Sequence, residues 1–261
     1  MRNPLEEVSP EVLESHGDPT AISRKRTFAG ALDDGAFFGI EHQLTLANNL
    51  GLAVWWELDL EYGRVVFHTV RGPVTAAVQV IGVSQGGIWT GGWASSLDSD
   101  ATQLSRQILQ VGLTNGIREL LEPSWTLPDP GPHSANVLTA GTKILHRNWT
   151  SYAFDTAAGE QVHAVLQHPD WSLTSPQAAT VTGVLTHGAA SLPITNIRRA
   201  VTSYADLRGL VRQWRKDRSA VKLLGANWAV TVTFDPTGRA IEAIHADDDV
   251  AATGGGRHRE P

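Results

Sequence analysis

Cysteine is absent from the 261-residue sequence, which excludes disulfides, thiolate metal sites and cysteine nucleophiles. Long apolar runs are absent as well, and no stretch approaches the roughly 18 residues that a membrane-spanning helix requires. The acidic N-terminus, MRNPLEEVSPEVLESHGDPT, has no apolar core of the kind that a signal peptide carries. These absences predict a cytoplasmic protein with no membrane segment.

The composition is that of a folded chain, with 41% hydrophobic and 18% charged residues. A chain of this length buries a substantial core as one large domain or two small ones. Histidine and carboxylate spacings typical of metal sites are missing, and so are the glycine-rich loops that cradle phosphates or dinucleotides. The sequence therefore predicts no metal and no cofactor.

Hydrophobic periodicity predicts the elements of the first 168 residues. Between Phe37 and Leu50 apolar residues recur at helical spacing, and Gly51 stands where a helix C-cap belongs. The period then changes to two in LAVWWELDL, RVVFHTV, VTAAVQVIGV and GIWTGGWAS, which predicts four sequential antiparallel strands. A further helical stretch precedes the strands SYAF and QVHAVLQ. We expect an α+β fold in which helices flank an antiparallel β-meander.

A smaller unit is predicted after Pro169. Thr202 or Ser203 caps a helix with Tyr204 and Trp214 on one face, and NWAVTVTF with RAIEAIH forms a hairpin. The predicted organisation is a loosely attached segment 1–30, a Trp-rich α+β domain 31–168, a C-terminal α-β-β unit 169–246 packed on it, and a disordered tail 247–261.

Ser84 lies in a motif with two interpretations. In IGVSQGGIWTGGWASS, residues Gly82 to Gly86 fit G-x-S-x-G, the form of a hydrolase nucleophile elbow. An elbow requires a strand, a sharp turn and then a helix, whereas the residues that follow alternate with period two and include three glycines. The pattern favours a β-hairpin turn, and a catalytic Ser84 is the alternative.

Two tryptophans follow that motif. Trp89 and Trp93 are four apart with Gly91 between them, which on a strand places all three on one face. A glycine there leaves room between the indoles for another group. That group is either a core side chain or a ligand, so Trp89 and Trp93 are candidate binding residues.

The order of these motifs resembles an uncharacterised, mainly actinobacterial, Trp-rich domain-of-unknown-function family. That family has an apolar strand, a Gly-Ser-type turn and a Trp-x-Trp-x-Trp strand. Trp89 and Trp93 match its first and last tryptophans, while Gly91 replaces the middle one. The resemblance covers about residues 30–168 and implies no activity.

Basic residues are concentrated between Ile194 and Leu224, a segment that contains eight Lys or Arg residues and only two Asp residues. That segment carries +6, so the rest of the chain, which has a net charge of −6 in all, carries −12. On the predicted helix, Arg208, Arg212 and Arg215 recur at four- and three-residue steps and form one stripe. The stripe is either a solvated helix face or a docking surface for an acidic protein partner. Nucleic acid is not favoured, because the chain is acidic and has no nucleic-acid-binding motif.

Two functions follow from these observations. The first is a non-catalytic protein-binding module of the adaptor or toxin-immunity kind, with Arg208, Arg212 and Arg215 as its partner-binding candidates. The alternative is a serine hydrolase that uses Ser84. The first rests on the charge segregation and on the missing catalytic constellation.

Overall fold

The computed structural model describes residues 27–51, 53–97, 100–127, 132–147 and 149–247. The first 26 residues of the predicted segment 1–30, and the tail from 248 onward, lie outside the described residues. The helices are α1 Phe28–Leu50, α2 Gln103–Asn115, α3 Arg118–Leu121, α4 Pro132–Ala140, α5 Ala178–Ser191 and α6 Ile197–Leu207, with 3₁₀ turns at Gly92–Ala94, Lys143–Leu145 and Pro169–Trp171. The strands are β1 Ala53–Asp59, β2 Arg64–Thr69, β3 Gly72–Gln85, β4 Ile88–Gly91, β5 Ser124–Thr126, β6 Thr150–Asp155, β7 Gln161–Gln167, β8 Val211–Trp214, β9 Ala220–Leu224, β10 Ala229–Phe234 and β11 Ile241–Asp247.

Helix α1 is longer than its apolar spacing predicts. It begins at Phe28 because the Thr27 hydroxyl accepts a hydrogen bond from the backbone N–H of Gly30, 3.1 Å away, and caps the helix. It ends at Gly51, whose φ of 57° leaves the helical region, as the sequence predicts. The predicted helix from Phe37 to Leu50 is therefore the C-terminal part of a 23-residue helix.

The first sheet has seven antiparallel strands arranged around the long strand β3. Strand β3 pairs with β2 along its first half and with β4 at its end, while β7 pairs along its other edge and carries β6. Four sequential strands β1 to β4 form the predicted meander. The observed helices and antiparallel sheets confirm the α+β fold.

The C-terminal unit is larger than the predicted α-β-β arrangement. It contains two helices and a separate four-stranded antiparallel sheet in the order β11-β10-β9-β8. The prediction of one helix running to Trp214 is wrong, because α6 ends at Leu207 and Gly209 has a φ of 66°. Val211 to Trp214 instead form strand β8, which pairs with β9. Four residues are too few for apolar spacing to distinguish a strand from a helix end.

Three hydrophobic clusters form the core, and α1 contributes to each of them. Phe37 and its neighbours pack against α5, α6 and the second sheet. Leu46 and Leu50 pack against one face of the first sheet, and Phe28 joins a cluster that includes α2, α3 and α4. The C-terminal unit therefore shares a continuous core with α1.

A buried carboxylate fixes how α6 meets α1. The side chain of Asp33 accepts hydrogen bonds from the backbone N–H and hydroxyl of Thr195, both at 2.8 Å, and from the N–H of Asn196 at 3.1 Å. These donors lie immediately before α6. Charge-assisted bonds of this kind are stronger than neutral ones, so Asp33 anchors the helix start.

We expect Asp33→Ala to lower the free energy of unfolding by about 3 kcal/mol, because it leaves partly buried N–H groups without an acceptor. Asp33→Asn keeps the shape of the side chain and one acceptor oxygen, so its free energy of unfolding should fall clearly less. Urea denaturation followed by circular dichroism measures both. Equal stability of Asp33→Ala and the natural chain would contradict the anchoring role.

Candidate functional site

The three arginines of the predicted stripe do not form one surface. Arg208 follows the end of α6, Arg212 lies on β8, and Arg215 follows that strand. The side chain of Arg208 is only 10% exposed, and its Nε lies 2.9 Å from Oε2 of Glu41. Arg212 pairs with Asp206 at 2.8 Å. The predicted helical stripe is wrong, because the chain changes from helix to strand between its members.

The Arg208 guanidinium belongs to a buried polar group that joins α1 to α6. The Tyr204 hydroxyl donates a hydrogen bond to Oε2 of Glu41 over 3.1 Å. Burial raises the pKa of Glu41, and Arg208 opposes that rise. Burial together with the Glu41 charge raises the pKa of Tyr204. Arg208 therefore neutralises a buried carboxylate and is not available to a partner.

A second buried polar group surrounds Lys143. Its Nζ donates hydrogen bonds to the carbonyl oxygens of Arg147, at 2.9 Å, and of Trp149, and lies 5.2 Å from the Phe38 ring centroid. Burial lowers the pKa of Lys143. Burial, and then the nearby Lys143 charge, lower the pKa of His42 to about 3 and lower that of His146. The interior here disfavours protonation of its basic groups.

Beside Lys143 lies a cavity of about 670 Å³, which we call the central cavity. Helix α1 supplies Gly35, Ala36, Gly39, Ile40 and Gln43, and the other walls come from α4, β6, β7 and α5. The polar groups at its surface include Ser151, Tyr152, His163 and His187. A mainly apolar cavity with a few convergent polar groups is typical of small-molecule sites.

Ser84 is the penultimate residue of β3, one residue before the turn of a hairpin. Gly86 and Gly87 have φ values of 56° and 78°, the pair that a two-residue hairpin turn requires, and β4 returns from Ile88. The predicted hairpin is confirmed. The fold adds a partner, because the Oγ of Ser84 lies 2.9 Å from Nε2 of His163 on β7. Burial lowers the pKa of His163 to about 4, so its imidazole is neutral at neutral pH.

The two tryptophans do not enclose a ligand site between them. Strand β4 ends at Gly91, so Trp93 lies in a 3₁₀ turn and not on the predicted strand face. The Trp89 indole is buried against Gly82, and a Cβ atom on Gly91 would be 2.9 Å from the Trp93 Nε1. The space that both line is about 20 Å³, enough for a single water. Core packing is the interpretation that this geometry supports.

A polar groove of about 500 Å³ lies between α6 and the second sheet, and we call it the arginine groove. Its lining includes the four arginines Arg198, Arg199, Arg218 and Arg239, along with Trp214 and several threonines, and no carboxylate of the described ranges lines it. Arg199 is held by Asp34 through two hydrogen bonds of 2.7 Å. The Arg218 guanidinium lies 5.2 Å from the Trp214 ring centroid.

The other arginines of this groove have little to neutralise them. In the part of the chain that the structure describes, Arg198, Arg218 and Arg239 form no ion pair. The Nε of Arg198 is buried without a hydrogen-bond partner, while its guanidinium lies 5.5 Å from the Phe234 ring centroid. The groove is therefore a concentration of positive charge on an acidic protein.

Sequence reasoning located the basic segment but selected other arginines. Arg198 and Arg218 lie within the segment from Ile194 to Leu224, and Arg239 lies in a turn of the second sheet. Which arginines converge depends on how α6 packs against that sheet. The segment's net charge of +6 was the available signal.

Among the described residues there is no group of three or more His, Cys, Asp or Glu side chains that could hold a metal ion. The helices in the same ranges include none with the length and apolar character needed to cross a membrane.

Comparison with known proteins gives one match. The family model described as "Family of unknown function (DUF6882)" matches residues 29–169, more than half of the chain. The match confirms the predicted resemblance to an uncharacterised family and nearly reproduces its predicted extent. Comparison with curated proteins and with solved structures finds no match.

Because the buried histidines have lowered pKa values, we expect the protein to lose stability in acid. The folded pKa values of His42 and His163 lie below 6.5, so the unfolded chain binds protons that the folded chain does not. The contribution of these neutral imidazoles to the free energy of unfolding is fully present above about pH 6.5. It decreases as the pH falls toward the pKa values of the folded state. We expect each histidine to cost about 2 kcal/mol between pH 7 and pH 5.

Urea denaturation at several pH values measures this loss. His163→Asn should reduce the loss of unfolding free energy between pH 7 and pH 5 by about 2 kcal/mol, because one titrating group is removed. His245→Asn is the control, since the side chain of His245 is 79% exposed. An identical acid loss in His163→Asn and the natural chain would contradict the burial of a neutral imidazole.

Proposed function

The chain belongs to the DUF6882 family of unknown function, and from its own geometry we propose that it is a non-catalytic binding module. The module docks an acidic segment of a partner protein in the arginine groove, as an adaptor or a toxin-immunity protein would. The observation that carries this proposal is the convergence of Arg198, Arg218 and Arg239 in a groove whose described lining holds no carboxylate.

Physical chemistry favours an anionic occupant with some planar or apolar surface. Guanidinium groups pair with carboxylates through two parallel hydrogen bonds, which gives geometric as well as electrostatic selectivity. The indole of Trp214 forms part of the lining and adds an apolar contact surface. Because the groove is open and polar, an extended segment with Asp or Glu side chains suits it better than a compact apolar ligand.

The remaining charge of the protein supports a protein partner over nucleic acid. The chain carries −6 in all, so its surface outside this groove repels a polyanion. A short acidic segment needs to contact only the groove. The positive patch would also accelerate encounter with such a partner at low ionic strength.

Charge reversal tests the groove. We expect Arg218→Glu and Arg239→Glu each to weaken binding of a fluorescein-labelled peptide of alternating glutamate and glycine about tenfold, which is about 1.4 kcal/mol. Fluorescence anisotropy measures the affinity. Both residues are exposed, so folding should be retained.

Arg106→Glu is the matched control, because Arg106 is exposed on α2 and the change in charge is the same. The glutamine version of the peptide should not bind. Equal weakening by Arg106→Glu would mean that the peptide responds to net charge alone and would contradict a specific groove.

The Ser84–His163 contact favours a second candidate, a serine hydrolase. A neutral imidazole 2.9 Å from a serine hydroxyl can accept its proton when Oγ attacks a carbonyl carbon. Against this, a pKa of about 4 makes His163 a weak base. Ser84 also precedes a hairpin turn instead of a helix N-terminus. In the described residues no carboxylate bonds to His163, and Asp155 accepts a hydrogen bond from the side-chain amide of Gln161.

A fluorophosphonate probe distinguishes the two functions. The binding-module proposal expects no label that depends on Ser84. A label present in the natural chain and in Ser172→Ala, but lost in Ser84→Ala and slowed in His163→Asn, would establish the hydrolase and displace the non-catalytic proposal. Ser172 is an exposed serine and controls for general reactivity.

A further inference from the structure

The central cavity has the volume of a ligand site and is separate from the arginine groove. At about 670 Å³ it falls inside the range of about 300–1,000 Å³ that small-molecule sites occupy. Its walls come from helices α1, α4 and α5, strands β6 and β7 and the 3₁₀ turn at Lys143, and they include none of the groove's arginines. The cavity opens to solvent, since His187 and Ser191 in its lining are exposed.

Packing does not require a glycine at position 39, and the missing side chain of Gly39 leaves space in the cavity. A glycine within a helix is destabilising relative to alanine. Gly35, one turn earlier, is required, since a Cβ atom there would lie 2.9 Å from Cβ of Lys143. A Cβ atom on Gly39 would meet only Cγ of Lys143, at an ordinary 3.6 Å. A side chain at Gly39 would therefore fit, at the expense of the cavity.

The lining indicates an uncharged occupant. Among the residues that the structure describes, no Asp or Glu lines the cavity. The stem of Lys143 does, but its Nζ is engaged by the carbonyl oxygens of Arg147 and Trp149, which are not part of the lining. A charged ligand would thus lose its hydration without gaining an ion pair.

Polar groups from several walls can hydrogen-bond to an occupant. Tyr152 and Ser151 come from β6, Asn136 comes from α4, and His187 comes from α5. Helix α1 contributes the small or apolar residues Ala36, Gly39 and Ile40. We propose that the central cavity binds an uncharged, mainly apolar small molecule that hydrogen-bonds to these polar groups, with Gly39 keeping the space for it.

An uncharged solvatochromic dye tests this proposal on the full chain. We expect Nile red to bind with 1:1 stoichiometry and a blue-shifted emission, and the anionic dye 8-anilinonaphthalene-1-sulfonate to bind at least tenfold more weakly. Gly39→Leu should weaken Nile red binding at least tenfold, and Gly39→Ala should have an intermediate effect, because the cavity is filled progressively.

Gly183→Leu is the matched control. Gly183 lies within α5, and a Cβ atom there meets nothing within 4 Å, so the variant makes the same exchange in a helix facing open space. It should bind Nile red as the natural chain does. A thermal melting temperature of Gly39→Leu at or above that of the natural chain establishes that lost binding does not reflect unfolding.

Three results would overturn the proposal: no saturable Nile red binding, equal binding by Gly39→Leu, or preference for the anionic dye. Arg218→Glu separates this inference from the proposed function. This variant should bind Nile red as the natural chain does but bind the acidic peptide more weakly. Loss of dye binding in the same variant would contradict a cavity that is independent of the groove.

Discussion

The packing of helix α1 is the constraint on which the rest of the structure depends. Its side chains enter all three hydrophobic clusters, so the first sheet, the α2–α4 layer and the C-terminal unit all use it as a common wall. A helix buried on so many sides cannot keep an entirely polar face. Asp33, Glu41 and His42 nevertheless lie on it and are buried, and each must find a partner inside the protein. The partners of Asp33 and Glu41 lie in the C-terminal unit and join it to α1, whereas His42 bonds to the Phe38 carbonyl oxygen within the helix.

Internal neutralisation decides which charges remain for function. Glu41 forms an ion pair with Arg208, and Asp34 forms an ion pair with Arg199. The buried basic groups around Lys143 are held by carbonyl oxygens and by desolvation instead of by carboxylates. In the described residues, Arg198 on α6 and Arg218 and Arg239 beside the second sheet form no ion pair and converge in one groove. The same sequence segment thus supplies both structural cations and the candidate binding surface.

The two candidate sites differ in their relation to the family. The family match ends at residue 169, so the arginine groove is built by the part of the chain beyond it. The central cavity uses α1, α4, β6 and β7 from within the match, together with α5 from beyond it. The cavity therefore depends on docking of the C-terminal unit, whereas the groove belongs to that unit.

The sequence by itself determined the α+β class, the sheet meander, the hairpin at Ser84 and the uncharacterised family, because alternating and helical periods and glycine turns are local signals. It also located the excess of positive charge. Only the tertiary structure decided that Arg208 is buried, that Ser84 meets His163 across two strands, and that Trp89 packs against Gly82. The first two contacts join residues distant in sequence, and the third depends on how the side chains of two hairpin strands pack. Four-residue strands such as β8 also depend on their neighbours, since a segment that short carries no period and gains its stability from the strand beside it.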